Sequence, residues 1–159
     1  MRYEDRPYRP CVGIMLVNAG GQAFAAQRLD NPGPAWQMPQ GGIDKGEAPD
    51  AAALRELWEE TGVTEDLVQV LGQTKGWLDY DVPRDIADRL WGAKYRGQRQ
   101  KWFLMRFLGS DEQVDITREP REFSEWKWVD IVDLPGQIVP FKRDLYEAVI
   151  AELAPKIGG

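Results

Sequence analysis

Residues 41–63 read GGIDKGEAPDAAALRELWEETGV, and this stretch decides the fold. It opens on a glycine-framed loop (Gly41, Gly42, Gly46), passes Glu47, and then carries Glu56, Glu59 and Glu60 before closing at Gly62. The last three carboxylates fall at i, i+3 and i+4, which on a helix puts them on one face. Like charges at that spacing repel and destabilise a helix, so something must offset them. A hard divalent cation with oxygen ligands is the simplest candidate. The competing reading is a solvated acidic face. Against it, the opposite face carries Ala51, Leu54, Leu57, Trp58 and Thr61, which predicts a helix over 48–61 anchored on a core. Arg55 precedes Glu59 by one turn and can orient it. Asp44 and Glu47 suit the positive end of the helix dipole.

Working outward, residues 11–17 (CVGIMLV) form a continuous apolar run, the signature of a buried central strand. A turn at 18–21 and a second strand over 22–28 predict a hairpin. Residues 30–35 read as a loop and 36–39 as a short extended piece delivering the glycine loop. Strands are predicted over 67–71, 76–82, 101–108 and 126–129. A short helix is predicted over 83–91, a basic loop over 92–100 and an amphipathic helix over 141–153. This mixed order suits a central sheet sandwiched by helices.

Composition narrows the chemistry. A chain of 159 residues, 43% hydrophobic and 29% charged, suits one domain over 1–159. It contains no histidine, which removes His-based triads, histidine zinc ligands and a histidine general base. Hydrolysis must then rest on carboxylates, Lys and Arg, hydroxyls and metal-bound water. The net charge of −6 argues against a nonspecific nucleic-acid binder. The single cysteine, Cys11, excludes an internal disulfide and reads as a buried, inert thiol. The polar start, MRYEDRPYRP, and the lack of a long apolar run predict no membrane span and a reducing, cytoplasmic location.

The spacing Gly41, five residues, Glu47, seven residues, Arg55-Glu56-Leu57, one residue, Glu59-Glu60, one residue, Gly62-Val63 resembles the complete Nudix box. The resemblance implies an α/β/α sandwich with a mixed sheet. It also implies a hydrolase acting on phosphoanhydrides with Mg²⁺, or alternatively Mn²⁺, on the box glutamates. Segments 8–18, 36–44, 97–103, 122–129 and 139–146 are similar to the bacterial RNA 5′-pyrophosphohydrolase group, which also contains dinucleoside polyphosphate hydrolases. Residues 77–83 and 91–103 lean toward the latter branch. The leading expectation is conversion of 5′-triphosphorylated RNA ends to monophosphates. The alternatives are a diadenosine tetraphosphate hydrolase, an enzyme acting on mononucleotides or sugar nucleotides, and, remotely, a silent Nudix-fold binding module. Glu122 is implied as a fourth metal ligand beside Glu56, Glu59 and Glu60. Glu56 is the first candidate for general base, with Glu59 or Glu60 able to take that role. Arg9, Arg28 and Lys142 match positions that contact the polyphosphate, with solvated surface charge as the plain reading of each. Tyr80 and Phe141 are candidates for stacking on a base, against core packing as the simpler role. Trp36, Trp58, Trp102, Trp126 and Trp128 read as core or sheet residues.

Overall fold

The computed structural model describes residues 1–31 and 33–158. Pro32, within the loop expected at 30–35, and Gly159 lie outside the described residues. Tyr8–Val17 (β1) pairs in parallel with Gly97–Phe107 (β7), and these two long strands are the spine of the sheet. Ala23–Arg28 (β2) pairs antiparallel with β1, with the short Trp36–Gln37 (β3) and with Phe123–Val129 (β8). Gln40–Gly42 (β4) joins β1 antiparallel. Val68–Gln73 (β5) and Leu78–Asp81 (β6) pair with β7. Both parallel and antiparallel pairings occur in this one sheet, the mixed arrangement expected.

Strand periodicity explains why two layers of helix are needed. Val12, Ile14 and Leu16 of β1 and Phe103, Met105 and Phe107 of β7 point to one face. There they meet Ala52, Ala53 and Leu57 of Pro49–Thr61 (α1). The intervening residues Met15, Val17, Trp102 and Leu104 point to the other face. They pack with Leu145, Tyr146, Val149 and Leu153 of Arg143–Leu153 (α4). Arg84–Ala87 (α2) and Leu134–Gln137 (α3) are single turns, and α3 packs against α4. Gly13 stands opposite Trp102 in the β1–β7 register, and a Cβ there would overlap the indole ring. The buried Trp102 side chain thus needs a glycine across the ladder.

Several expectations are corrected. The basic loop predicted at 92–100 ends at Arg96, because β7 begins at Gly97. Gln98 and Gln100 are buried in it and Arg99 is exposed, so polar residues occupy the inward positions of a true strand. The helix predicted at 83–91 is confined to Arg84–Ala87. Pro140–Lys142 forms a 3₁₀ turn, so α4 starts at Arg143 rather than 141. Ala51 and Trp58 do not anchor α1, since Ala51 is exposed and Trp58 is 42% exposed. Arg118 covers Trp58 instead, its guanidinium 3.6 Å from the ring centre. Trp58 is therefore not a core residue, and the buried stripe of α1 is Ala52, Ala53, Leu57, Glu60 and Thr61. Among the described residues no helix is long and apolar enough to cross a membrane.

Candidate active site

The glycine loop and α1 are built as one unit. β4 is pinned edge-on to β1 with Val12 opposite Gly41 and Cys11 opposite Gly42. α1 starts at Pro49, which suits a first helical position because its missing N–H needs no partner there. It stops at Gly62, whose φ of 72° is the left-handed conformation that glycine accepts. Between these ends, Glu56 and Glu60 turn back toward β4. The carboxyl group of Glu56 occupies the space that a Cβ on Gly41 would fill. Glu60 Oε2 accepts a hydrogen bond from the Gln40 amide at 3.3 Å.

Arg55 ties the loop to the helix. Its Nε and Nη2 each donate at 2.8 Å to the two oxygens of Glu47. Nη2 also reaches the Gly42 carbonyl at 2.9 Å, and Nη1 donates to Glu56 at 2.9 Å and Glu59 at 3.2 Å. Bonding by Arg55 and by the Asp44 amide holds the Glu47 carboxyl down to about 2. Glu59 is 45% exposed at its side chain and points to this guanidinium rather than into the cleft.

The open side of this unit is a cleft of about 460 Å³. Its acidic lining comes from Glu56, Glu60, Glu122 and Asp30, and its cationic lining from Arg9, Arg28 and Lys142. Burial raises the Glu56 carboxyl to about 7, against the lowering effect of Arg55. Glu60 is pushed well above the usual carboxylate range, first by burial and then by Glu56 and Glu122. Buried carboxylates so placed disfavour their own charge, and an oxygen-only donor set suits a hard divalent cation. Among the described residues, no three such side chains already enclose an ion-sized space. Glu56, Glu60 and Glu122 line the wall that would hold one.

In the same cleft, burial and the nearby Arg28 depress the Lys142 ammonium to about 8. Its Nζ lies 5.6 Å from the centre of the Tyr80 ring. Arg28 forks onto Asp30 with two 2.8 Å bonds and lies 3.7 Å from Glu122. Arg9 sits against Gly42, where a Cβ would collide with its guanidinium, and donates to the Cys11 sulfur at 3.5 Å. Cys11 is fully buried, and burial lifts its thiol to about 11, so it stays protonated. Tyr80 is 8% exposed, with its ring stacked on Phe141 at 6.2 Å. Phe141 presents the more open of the two rings to the cleft.

The structure thus gathers Glu56, Glu60, Glu122, Arg9, Arg28, Lys142, Tyr80, Phe141, Gly41 and Gly42 around one cleft. It leaves Glu47, Arg55, Glu59 and Gly62 outside the lining. The lining also includes Gln37, Gln40, Gln98 and Trp91, which sequence reasoning did not select. Gln40, Gln98 and Gln100 form an amide chain at 2.6 and 3.0 Å, closed by Tyr80 at 3.0 Å and by the Trp102 indole at 2.8 Å. The alternation Gln98, Gln100, Trp102 was the available signal. Gln37 is 5% exposed, and among the described residues its buried Nε2 has no hydrogen-bond partner.

A mixed sheet between helices, with a glycine loop feeding a glutamate-bearing helix beside a cleft lined by carboxylates and cations, suits a hydrolase of phosphate-rich substrates. The chain belongs to the Nudix family, whose domain model matches residues 7–149. A protein of Roseobacter denitrificans named RNA pyrophosphohydrolase is 59% identical over 144 residues, covering 91% of this chain and 90% of its own. A Rhodospirillum rubrum protein of the same name is 56% identical over 148 residues, covering 93% and 88%. Among solved structures, the Escherichia coli dihydroneopterin triphosphate pyrophosphohydrolase superposes with a TM-score of 0.71 at 19% identity, over 92% of this chain and 99% of that one. A Caenorhabditis elegans Ap4A hydrolase complex gives 0.64 at 20% identity, over 91% and 98%. At such identities the structural likeness speaks for the fold.

Proposed function

We propose that this Nudix hydrolase is an RNA pyrophosphohydrolase of the cytoplasm, converting 5′-triphosphorylated RNA ends to 5′-monophosphates with Mg²⁺. The observation that carries the choice of substrate is near-full-length identity of 50–59% to proteins bearing that name. The cleft supports it, with buried carboxylates and three cations lining one space of about 460 Å³.

Divalent cations are a general requirement of Nudix hydrolases. In this cleft Glu56, Glu60 and Glu122 would hold Mg²⁺, which supplies a more acidic water and offsets phosphate charge. The chain's own groups do the rest. Arg9, Arg28 and Lys142 bind the phosphate oxygens by charge-assisted hydrogen bonds and fix the chain in line for attack. Arg28 releases part of its fork with Asp30 as phosphate arrives. Glu56, raised by burial and steadied by Arg55, accepts the proton of the attacking water. Water adds to a phosphorus, the P–O–P bond between the first and second phosphates breaks, and the RNA 5′-monophosphate and pyrophosphate separate with the negative charge that the cations neutralise. Arg55 acts through Glu47, Glu56 and Glu59 as a positioning residue.

The test is kcat/KM with Mg²⁺ on 5′-triphosphorylated RNA and on diadenosine tetraphosphate, measured side by side. Preference for the RNA by tenfold or more supports this reading. Preference for the dinucleotide replaces it. Turnover of neither, by folded protein, returns the chain to a binding role.

A further inference from the structure

Trp91 lines the cleft, yet the assignments above give it no role. Its backbone is unusual. Trp91, Gly92 and Ala93 have φ of 51°, 65° and 59°, three successive left-handed residues of which one is glycine. For a residue as bulky as tryptophan this conformation is a genuine outlier, and it persists only where the surroundings over-determine it.

Those surroundings are visible. Arg6, buried beneath the segment, pairs with Asp88 at 2.6 Å. The Tyr3 hydroxyl donates to the Val82 carbonyl at 2.7 Å, and the Val82 amide donates to the Arg96 carbonyl at 2.9 Å. Arg96 closes the base of the segment on Asp81 at 2.9 Å. Residues 82–96 are therefore clamped at their root while Trp91 stands at the cleft. There the indole lies over the Arg9 guanidinium, 5.7 Å from the ring centre, and meets Tyr95 edge-on. Arg9 in turn abuts Gly42 of the glycine loop. One aromatic face is thus held next to a cation of the phosphate wall, where a nucleotide's base lies one sugar away from its phosphates.

We propose that Trp91 is a specificity-determining residue whose indole stacks on the base of the nucleotide that carries the phosphate chain. This rests on reading the cleft as a polyphosphate site. Stacking uses the π-face that every base has, so it provides affinity for a nucleoside-borne polyphosphate over a bare one without selecting one base. Strain at Trp91 then has a use, holding the indole at the cleft where a base would meet it.

The experiment compares two probes by calorimetry in Mg²⁺ buffer: α,β-methylene adenosine triphosphate, whose bridge replaces the anhydride that the proposed reaction breaks, and inorganic tripolyphosphate. Wild type is expected to bind the nucleotide more tightly than tripolyphosphate, and Trp91→Ala to lose about tenfold affinity for the nucleotide alone. Trp91→Phe should recover most of the loss, since it restores a ring on the same backbone. Trp91→Gly, which suits the left-handed backbone, should behave as Trp91→Ala does. Equal loss for both probes overturns the proposal, because the indole would then act only through Arg9 or the fold. Equal binding of both probes by wild type also overturns it. Failure of the polyphosphate reading is seen separately, as absent turnover of triphosphorylated RNA by a wild type that still discriminates the two probes.

Discussion

Arg55 and Glu47 are joined by a two-point fork, Nε to Oε2 and Nη2 to Oε1, both at 2.8 Å. This pair bridges the glycine loop to the middle of α1, and the remaining donor of Arg55 reaches Glu56 at 2.9 Å. A lysine offers one point charge in place of a planar fork, so it cannot serve both carboxylates together. Arg55→Lys should therefore lower kcat by about 10–100-fold, the usual cost of losing a supporting shell around a metal site. KM for triphosphorylated RNA should change little, because Arg9, Arg28 and Lys142 are untouched. A variant whose loss lies wholly in KM would place Arg55 on the substrate instead.

Glu56 makes stability depend on pH. Its carboxyl stands at about 7 in the folded chain against an ordinary 4.5. Between those values the folded state holds more protons than the unfolded state, so stability falls as pH rises through the window. In EDTA, Glu56→Gln should leave stability unchanged at pH 4 and raise it by about 1–2 kcal/mol at pH 8, allowing for partial solvent screening. Saturating Mg²⁺ should reverse the order by stabilising wild type more than the variant. Denaturant midpoints at the two pH values decide it, and a variant less stable than wild type at pH 8 in EDTA would refute the burial argument.

What the sequence made legible was whatever its periodicity carried. The carboxylate at 56 sits one helical turn before those at 59 and 60, and the apolar runs at 11–17 and 101–108 are the two central strands. Pattern could not separate Glu60 from Glu59. They are adjacent, and only the approach of β4 buries Glu60 to 8% exposure while Glu59 faces Arg55 and solvent. The start of β7 was hidden because its inward positions are Gln98 and Gln100, polar residues whose alternation with Trp102 reads as a strand only once their amides are seen bonded to each other. Trp58 looked like core because helical spacing places it at the edge of the apolar stripe, and Arg118 is sixty residues away. Trp91 could not be read at all, since its place depends on a left-handed backbone that tryptophan does not announce.

Lys142 gives activity an alkaline limit. Burial and Arg28 lower its ammonium to about 8 from an ordinary 10.5, so its charge is present below that pH and lost as pH rises through it. The free enzyme's titration appears in kcat/KM. For triphosphorylated RNA, kcat/KM should fall above about pH 8 in wild type. In Lys142→Arg the fall should vanish, because guanidinium stays charged. Parallel profiles for the two proteins would assign the alkaline limb to another group.

Glu56 itself should be indispensable where it stands. Glu56→Gln keeps the shape of the side chain and removes its charge and basicity. It is expected to cost at least about 100-fold in kcat, the scale of positioned acid–base catalysis, with the fold retained. Near wild-type turnover would move the general base to Glu60, the other α1 carboxylate that lines the cleft.

Two glycines of the same loop separate collision from strain. A Cβ on Gly41 would fall within the Glu56 carboxyl group, while the β4 backbone is held by its ladder to β1 and cannot retreat. The carboxylate must therefore move, and Gly41→Ala should lose activity on the scale of Glu56→Gln. Its stability should change little, because a charged group is displaced toward solvent and not a packed core. Gly46 is the reverse case. Its φ is 79° and nothing lies within reach of an added Cβ. Gly46→Ala meets only the backbone penalty, about 1 kcal/mol or somewhat more, and leaves Glu56 where it is. Tm and kcat measured on both variants should cross, with Gly41→Ala inactive and stable and Gly46→Ala active and less stable. If both lose activity together, the loop works through its overall shape and the close approach of Gly41 to Glu56 is incidental.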